Sequence, residues 1–457
     1  MNQQNITIRN KLFGKSSEKR KYNKSNKKIE KKKRKYAEKR VLLPSERYPD
    51  ARIIERDVEF TDSCQCQLCN EVLVDSGMVE VTEFLTVVPK EFIIIRQKRH
   101  KYRCEVCHGD IQTAPAPPRI IPGSVMSDEL LIDVTMSKYC DLIPIERYAT
   151  MAGRGGLEGL PPQTLIGGTH QLGEFVKPAY ERCKDELFSK EMWQGDETGH
   201  NMLEGSDISK WYLWGFSSET VCYFDIRDTR SGDVATELLL NSGCRFFMSD
   251  VFSGYVKSIR ETNKLRLAKG LAEIVNGYCN AHSRRKFDES EPNYPTESDY
   301  FIAKYKVIYQ LNKEAKGQLP EKILEIRSKM KPLFEEMQKK AEVWLPQYAA
   351  GLTITKALSY FLNNYEGLTR FTDYWQLPID NNFQESLFRS PVVGRKTWLG
   401  THSIKGAKTS AIHFTLVECC KINKVNPREY YKKLVRALQN GEKAFTPYEY
   451  LKKINTV

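Results

Sequence analysis

The chain has 457 residues, of which 40% are hydrophobic and 28% are charged. Because a single core rarely grows beyond about 250–300 residues, this length predicts about three or four domains. No run approaches the roughly 18 apolar residues that a membrane helix requires, and the N-terminus contains no apolar signal segment. We therefore expect a cytoplasmic protein of bacterial type with no membrane partner.

Positive charge is concentrated in an N-terminal arm, residues 1–40. The arm contains 16 Lys and Arg against 3 Asp and Glu, whereas residues 41–457 contain 55 of each. A segment so poor in apolar residues cannot bury enough surface to fold alone. Its composition favours sequence-independent contact with DNA or RNA phosphates over a solvated tail that aids solubility. The candidate DNA contacts in the arm are Lys19, Arg20, Lys31, Lys32, Lys33, Arg34 and Lys35.

Five of the twelve cysteines cluster between residues 64 and 107. Two Cys-x-x-Cys knuckles are separated by 34 residues, much of them strand-type sequence at 72–88 and 92–95. Such knuckles on β-hairpins predict a zinc-ribbon domain at 41–112, with four thiolates around one closed, structural zinc. The predicted ligands are Cys66, Cys69, Cys104 and Cys107. Cys64 and His108 are rival ligands that we disfavour, and the other seven cysteines are interpreted as small buried hydrophobes.

Helical sequence follows a proline-rich linker. Residues 113–122 predict the stiff linker. Residues 123–189 predict a helical region that binds DNA or connects domains, and Ser127-Asp-Glu opens its helical sequence. The pattern gives only weak evidence for a helix-turn-helix. From residue 191 the pattern changes to strands, which are centred on Met192, 211–216, 221–225 and 245–248.

Residues 300–375 are again helical in pattern. An apolar stripe recurs at spacings of three and four from Ile323 to Trp344, opposite a face of Lys and Glu. We interpret it as a packed amphipathic helix. No glycine-rich loop followed by Lys-Ser/Thr occurs, which argues against a built-in nucleotide-hydrolysing motor.

Three carboxylates are the candidate catalytic residues. Asp196 and Asp250 each lie near an aromatic or apolar run and precede small or turn-prone residues, which predicts positions at strand ends. Glu385 is predicted in the first turns of a short helix. The residues expected to cap and close this helix are Asp380 or Asn381 at its start and Pro391 at its end.

Two strand-end aspartates and one helical glutamate are typical of a site for two magnesium ions. Hard divalent cations prefer oxygen ligands, and two of them about 3.5–4 Å apart hold the attacking and leaving oxygens of a phosphodiester. Any one of these carboxylates alone would be interpreted as a turn or surface residue. Glu197 competes with Asp196 for the site, because consecutive strand residues face opposite sides and only one can point at the metals.

Several segments of the chain resemble the transposases of the bacterial insertion sequence 66 family. They are Lys11–Arg20, the two-knuckle ribbon, the core motifs Gly195–Thr198, Ser249–Tyr255 and Asn280–Phe287, the segment Asp380–Glu385 with Gly394–Leu399, and Ile412–Tyr431. The resemblance covers nearly the whole chain in the family's order, and it favours Asp196 over Glu197. Two features depart from the family pattern: the segment before Lys11 is short, and Ser386 stands where a basic residue is expected.

The resemblance implies a ribonuclease-H-like catalytic core at 190–410, a mixed sheet flanked by helices with a helical insertion at about 290–375. A helical C-terminal domain is expected at 411–457. The expected fold class is therefore α/β (α+β), with the zinc ribbon and a helical region before the core.

The implied function is that of a DNA transposase using Mg²⁺ or Mn²⁺. It hydrolyses phosphodiesters at the element's ends and transfers the freed strand into target DNA. The implied partners are the terminal inverted repeats, target DNA, further copies of the chain and small accessory proteins of the same element, at the bacterial nucleoid. Candidate phosphate contacts in the core are Arg284, Arg285, Lys286, Arg395 and Lys396. His282 is predicted either to face the scissile phosphate or to be a capping or core histidine.

Two other functions remain open from the sequence. The chain could be a nuclease of the same fold that cuts without joining, or a domesticated DNA-binding protein that uses only the arm and the ribbon. Cleavage without strand transfer would indicate the first, and tight DNA binding without metal-dependent cutting would indicate the second.

Overall fold

The computed structural model of the chain describes residues 43–49, 51–57, 69, 72, 79, 81–88, 90–106 and 111–455. The chain divides into two compact units, Met1–Lys90 and Glu91–Val457. The arm residues and two of the four predicted zinc ligands, Cys66 and Cys107, lie outside the described residues. The predicted arm contacts therefore stay predictions, as does the closed zinc site.

In the first unit, a short helix α1 (Pro44–Arg47) is tied to a later extended segment. The backbone N–H and the hydroxyl of Ser45 donate to the two carboxylate oxygens of Glu83, each at 2.8 Å. The described residues 81–88 form no strand.

The second unit begins with an extended, exposed segment and a small hairpin. Strands β1 (Lys101–Arg103) and β2 (Ile111–Thr113) pair antiparallel, and Cys104 directly follows β1. In the described residues 81–88 and 92–95 the predicted strands are absent, and Val72 forms only a β-bridge. That expectation was wrong because a β-branched run becomes a strand only where a neighbouring strand completes its hydrogen bonds. Side chains such as Val87 and Ile94 stay exposed.

The predicted helical region is confirmed as three helices. Ser127 caps the first of them, its hydroxyl accepting from the backbone N–H of Leu130. The second helix ends at a cluster of glycines, with Gly155 as its C-cap, and the third begins at the proline pair Pro161-Pro162. These helices are α2 (Asp128–Tyr139), α3 (Ile145–Arg154) and α4 (Pro162–Phe188).

Five strands in the described part of the second unit form one mixed sheet. Its spatial order is β5-β4-β3-β6-β7. The β3–β4 and β4–β5 pairs are antiparallel, whereas β3–β6 and β6–β7 are parallel. The strands are β3 (Met192–Asn201), β4 (Lys210–Ser217), β5 (Cys222–Arg227), β6 (Phe246–Ser249) and β7 (Val275–Tyr278).

Helices connect the parallel strands and then form a helical layer with its own apolar cluster. Buried aromatic and apolar side chains, Phe287, Phe301, Phe334 and Phe361 among them, fill this second cluster. The helices are α5 (Asp233–Leu240), α6 (Ser253–Ala268), α7 (Asn280–Ser290), α8 (Pro295–Ala315), α9 (Pro320–Ser328), α10 (Lys331–Trp344), α11 (Thr353–Asn363) and α12 (Tyr365–Thr369).

The apolar stripe of residues 323–344 is divided between two helices, α9 and α10. Its members Met330, Phe334 and Met337 are buried, as the spacing predicts. A new helix begins at Lys331 because a proline cannot lie in the interior of a continuous helix. Pro332 lies instead in the first turn of α10, where a missing N–H is tolerated.

The C-terminal helices pack on the β5 edge of the sheet and on the helices that precede it. Helix α15 packs against α4 and β5, and the hydroxyl of Thr415 accepts from the backbone N–H of Phe224 at 2.9 Å. The domain boundary expected at 410 falls inside α15. The helices are α13 (Asn382–Leu387), α14 (Arg389–Trp398), α15 (Ile404–Ile422), α16 (Pro427–Gln439) and α17 (Pro447–Asn455). Of the helices in the described ranges, none combines the length and the apolar character needed to cross a bilayer.

Candidate active site

The strand register sets Asp196 and Asp250 side by side. In the parallel pair β3–β6, Gln194 is the partner of Met248. Continued by two residues, the same register brings Asp196 level with Asp250 and on the same face, because residues two apart along a strand share a face. Asp250 follows the end of β6, as predicted.

Asp196 does not lie at a strand end. It is the fifth residue of the ten-residue strand β3, so that expectation was wrong. The reason is that β3 has two neighbours of different length. Its pairing with β6 stops at Gln194, whereas its pairing with β4 continues to Asn201. Asp196 therefore lies just beyond the end of the parallel ladder, although its own strand continues.

Backbone amides fix the orientation of both aspartates. Asp196 Oδ1 accepts from the backbone N–H of Glu197 at 2.9 Å, and Asp250 Oδ1 accepts from that of Phe252 at 3.0 Å. The second bond closes a turn between β6 and α6, which turns the chain away from the sheet directly after the carboxylate.

Helix α13 carries Glu385 over the same face of the sheet. The side-chain amide of Asn381 donates to the backbone carbonyl of Gly195 at 2.9 Å, and the backbone N–H of Gln384 lies 3.4 Å from Gln194 Oε1. Opposite Asp196 on β4 stands Gly215, where a Cβ would collide with Gln384. Glycine at this position therefore allows α13 to approach the strand that carries Asp196.

The ends of α13 differ in part from the prediction. Asn381 occupies the N-cap position, but its side chain makes no capping bond and serves as the tether to Gly195. Asp380 Oδ1 accepts from the backbone N–H of Asn382 at 3.2 Å. Pro391 does not close α13. It lies in the first turn of α14, where the absence of an N–H removes no helical hydrogen bond.

The electrostatics of the site set Asp196 apart. Burial, together with the negative charges of Glu197, Asp250 and Glu385, raises the pKa of Asp196 from 3.8 to about 8. Among the described residues, no Lys, Arg or His side chain forms an ion pair with it. Several carboxylates gathered in a half-buried site resist ionising together unless a cation joins them.

Glu197 points to the other face of β3 and has a partner. Arg230 donates to Glu197 Oε1 through Nε at 2.9 Å and through Nη2 at 2.7 Å. The side chain of Glu197 is 1% exposed, and burial raises its pKa while Arg230 opposes the rise. Arg230 is itself held by the ring of Phe252, 4.1 Å from its guanidinium carbon. The geometry thus gives Glu197 a structural ion pair.

The donor set on the Asp196 face fits hard divalent cations. Asp196, Asp250 and Glu385 offer carboxylate oxygens, which are the ligands that Mg²⁺ and Mn²⁺ prefer. Glu385 Oε1 is buried without a hydrogen-bond partner in the described part of the chain. The three carboxylates together, with the raised pKa of Asp196, fit a site that binds divalent cations.

The basic residues predicted in the core separate into two places. Arg285 Nη2 lies 3.7 Å from Glu385 Oε2, and His282 Nδ1 lies 3.7 Å from Glu385 Oε1. Lys286 lies over the ring of Tyr360 instead, 4.7 Å from its centroid. Arg284, one residue before Arg285 in the same helix, has a carboxylate neighbour, Asp288, at 4.0 Å.

The other basic pair lies on α14. Arg395 lines a cavity of about 470 Å³ together with Asn201 and Lys210, at the far end of β3 from the parallel ladder. Lys396 is exposed. The structure thus brings His282 and Arg285 to Glu385, whereas Arg395 lies at this second cavity.

Sequence reasoning missed two residues of the site. Cys279, interpreted as a small buried hydrophobe, presents its sulfur close to His282 and Glu385, with the three ligand atoms within 4.8 Å of one another. The Cys-x-x-His spacing was the available signal. Arg230, the partner of Glu197, lies in a loop 33 residues further along the chain, and no local sequence pattern predicts this contact.

Comparison with known proteins agrees with the resemblance seen in the sequence. The uncharacterized proteins y4hP and y4jD of Sinorhizobium fredii (strain NBRC 101917 / NGR234) are each 24% identical to the chain. The first alignment covers 82% of this chain and 71% of the relative, and the second covers 85% and 78%. The uncharacterized protein y4qI of the same strain is 26% identical, over 85% of this chain and 73% of the relative. Residues 123–409, more than half of the chain, match the family described as "Transposase IS66 family". The chain therefore belongs to the IS66 transposase family.

Proposed function

We propose that this protein is a DNA transposase that cuts at the ends of its element and joins the cut strand to target DNA. One observation carries the proposal: Asp196, Asp250 and Glu385, which are far apart in sequence, converge on one face of the sheet without a counter-cation for Asp196 among the described residues. Membership of the family supports DNA as the substrate.

We further propose that the mixed sheet is a ribonuclease-H-like core. Support comes from its five strands in the described residues, in the order β5-β4-β3-β6-β7, with the carboxylates at the edge where β6 ends. The helices α8 to α12, which lie between Asp250 and Glu385 in the chain and have their own apolar cluster, correspond to the proposed insertion.

In this proposal Asp196, Asp250 and Glu385 hold two Mg²⁺ or Mn²⁺ ions. Such ions, when bound, lower the pKa of an attacking oxygen and neutralise charge on the phosphate. The chain's own contribution is rigid placement. The sheet register fixes the two aspartates, and the Asn381–Gly195 bond fixes the helix that carries Glu385. Small misplacement of such groups lowers rates by about a hundredfold.

The two chemical steps use one site. Water attacks the phosphodiester at the element's end and frees a 3′-hydroxyl, which then attacks a phosphodiester of target DNA. Each step breaks one P–O bond and forms another, so only the nucleophile changes. The residues proposed to contact phosphate beside Glu385 are Arg285 and Arg284, with Lys286 one residue on.

A basic cavity next to Asp250 supports the DNA path. Its volume is about 850 Å³, and its lining includes the segment 251–254 directly after that aspartate. Glu366, which pairs with Arg370, also lines the cavity, so the positive charge that favours a phosphodiester backbone comes from an excess of basic side chains. They are Arg230, Lys257, Arg260 and Arg370.

We propose a structural zinc on Cys66, Cys69, Cys104 and Cys107. The hairpin β1–β2, which brackets the second knuckle, supports this assignment. Metal analysis of purified protein should find zinc, and Cys104→Ser should lower the zinc content by one ion per chain. An unchanged zinc content would remove Cys104 from the site.

We also propose that the arm, residues 1–40, contacts DNA phosphates, that copies of the chain assemble on DNA at the nucleoid, and that small accessory proteins of the element take part. Deleting the arm should weaken binding to all DNA sequences alike and flatten its salt dependence. An unchanged salt dependence would assign the phosphate contacts to other residues.

The deciding experiment incubates the purified protein with Mg²⁺ and DNA that carries the element's two ends. The proposal predicts cleavage at the ends and joined products with target DNA. Cleavage without joined products would indicate a nuclease, and tight binding without metal-dependent cleavage would indicate a DNA-binding protein.

A further inference from the structure

The turn between β7 and α7 brings a sulfur, a nitrogen and an oxygen ligand together. Cys279 Sγ, His282 Nδ1 or Nε2 and a carboxylate oxygen of Glu385 all lie within 4.8 Å of one another. Cys279 is fully buried, and the other two side chains are about three-tenths exposed. The group is therefore enclosed on the protein side and open to small ions from solvent.

Local backbone structure creates this convergence. Cys279 is the N-cap residue of α7, and His282 is the third helical residue. A Cys-x-x-His pair at the start of a helix turns both side chains toward one point, as in the knuckles of zinc sites. The backbone N–H of Asn381 donates to Cys279 Sγ at 3.2 Å, which links this turn to the start of the helix that carries Glu385.

Two polar atoms of the group have no hydrogen-bond partner. His282 Nδ1 and Glu385 Oε1 are both buried and unsatisfied within the described residues. They face each other at 3.7 Å, which is too long for a hydrogen bond. Bonds of about 2.0–2.2 Å place two ligands of one tetrahedral ion about 3.4 Å apart, so a small closing of this gap would let both atoms bind one ion.

We propose that Cys279, His282 and Glu385 bind a transition-metal ion of the zinc class, at a site distinct in its chemistry from the oxygen-only triad. Thiolate and imidazole ligands favour zinc or cobalt over magnesium. Three protein ligands leave one position of a tetrahedral ion for water. Cys279 releases its thiol proton to solvent as the sulfur binds the ion.

Glu385 belongs to both groups. A zinc-class ion held by Oε1 fixes the carboxylate beside Asp196 and Asp250, while Oε2 remains on the side of Arg285. The binding of this ion does not depend on the proposed function, so the two proposals can fail separately.

The test is a titration of metal-free, full-length protein with Co²⁺. A cobalt–thiolate bond gives a charge-transfer absorption in the near ultraviolet, which an oxygen-only site does not give. The wild type should bind one more thiolate-coordinated cobalt ion than Cys279→Ser, whether or not the predicted ribbon also binds cobalt. The matched control Cys244→Ser changes a buried thiol that donates to the carbonyl of Phe246, and it should keep the extra ion.

Further variants keep the test decisive if Cys279→Ser folds poorly. His282→Ala changes a partly exposed side chain and should weaken binding of the extra ion at least about tenfold. Cys104→Ser should retain the extra ion. Equal cobalt binding with equal charge-transfer absorption in the wild type, Cys279→Ser and His282→Ala would overturn the proposal. So would loss of this absorption in Asp196→Asn with its retention in His282→Ala.

Discussion

Glu197 and Asp196, neighbours on β3, lie on opposite faces of the strand and in different electrostatic environments. On one face Glu197 is enclosed and accepts two hydrogen bonds from Arg230. On the other face burial, together with the negative charges of the neighbouring carboxylates, raises the pKa of Asp196 to about 8. The two residues are adjacent in sequence, so their environments differ only because a strand alternates its side chains.

This contrast separates an electrostatic role from a structural one. A buried carboxylate with a fixed arginine is already neutralised and gains little from a metal ion. A carboxylate gathered with two others, without such a partner in the described residues, needs an external cation to ionise at neutral pH. Metal dependence should therefore follow Asp196 and not Glu197.

The largest expected effect is on catalysis by the triad. Asp196→Asn, Asp250→Asn and Glu385→Gln each remove a charged oxygen ligand with little change of shape. Each should lower metal-dependent cleavage of the element's ends by about a hundredfold or more. Asp380→Asn, a matched change beside α13, should have a mild effect because that side chain accepts from a backbone N–H. Near-normal cleavage by Asp196→Asn would point to Glu197 instead.

The next effect concerns the tether between α13 and β3. Asn381→Ala removes the bond to the carbonyl of Gly195 and should lower cleavage about tenfold, because Glu385 loses its fixed position. Higher Mn²⁺ concentrations should recover part of the loss. The exposed neighbour in Asn382→Ala serves as control and should stay close to wild type. Equal loss in both variants, unaffected by metal concentration, would indicate a general loss of stability.

Glu197→Gln should change cleavage by less than about tenfold. The glutamine carbonyl still accepts from Arg230, so the ion pair becomes a hydrogen bond of the same geometry. The measurement is the same cleavage assay, run beside Asp196→Asn. A loss of cleavage activity as large as that of the triad variants would show that Glu197 matters to catalysis as much as Asp196 does, which would contradict its structural role.

The smallest effect is on stability as a function of pH in metal-free protein. The pKa of Asp196 is raised in the folded state, so the folded protein holds this proton more tightly than the unfolded chain. The resulting stabilisation is fully present below about pH 4 and is lost as pH rises through about 8. In chelator, the melting temperature of the wild type should therefore fall more steeply over this range than that of Asp196→Asn. Parallel curves would contradict the shifted pKa.

Motifs in the sequence predicted which carboxylates lie together, because each stands in a distinctive local pattern beside a strand or at a helix start. The position of Asp196 within β3 was not predictable, since the length of a strand depends on which neighbours pair with it. Dependence on a pairing neighbour also explains the exposed apolar run around Ile94. Its sequence predicts a strand, but no strand pairs with it in the described residues.

Contacts between distant segments were the least predictable part of the site. Asn381 is a residue type that commonly caps helices, yet its side chain donates to the backbone carbonyl of Gly195, 186 residues earlier in the chain. The Cys-x-x-His spacing marks Cys279 in the sequence, but its closeness to Glu385 arises only in the tertiary fold, where α13 brings the two side chains together. Local patterns specify helices and strands, whereas the tertiary fold decides which polar groups meet.

The most direct test of the central claim is Mn²⁺ binding measured by electron paramagnetic resonance, without DNA. Mn²⁺ should bind to the wild type and to Glu197→Gln with similar affinity, and to Asp196→Asn at least about tenfold more weakly. Unchanged Mn²⁺ binding by Asp196→Asn, or its loss in Glu197→Gln, would contradict the assignment of the metal ions to the Asp196 face.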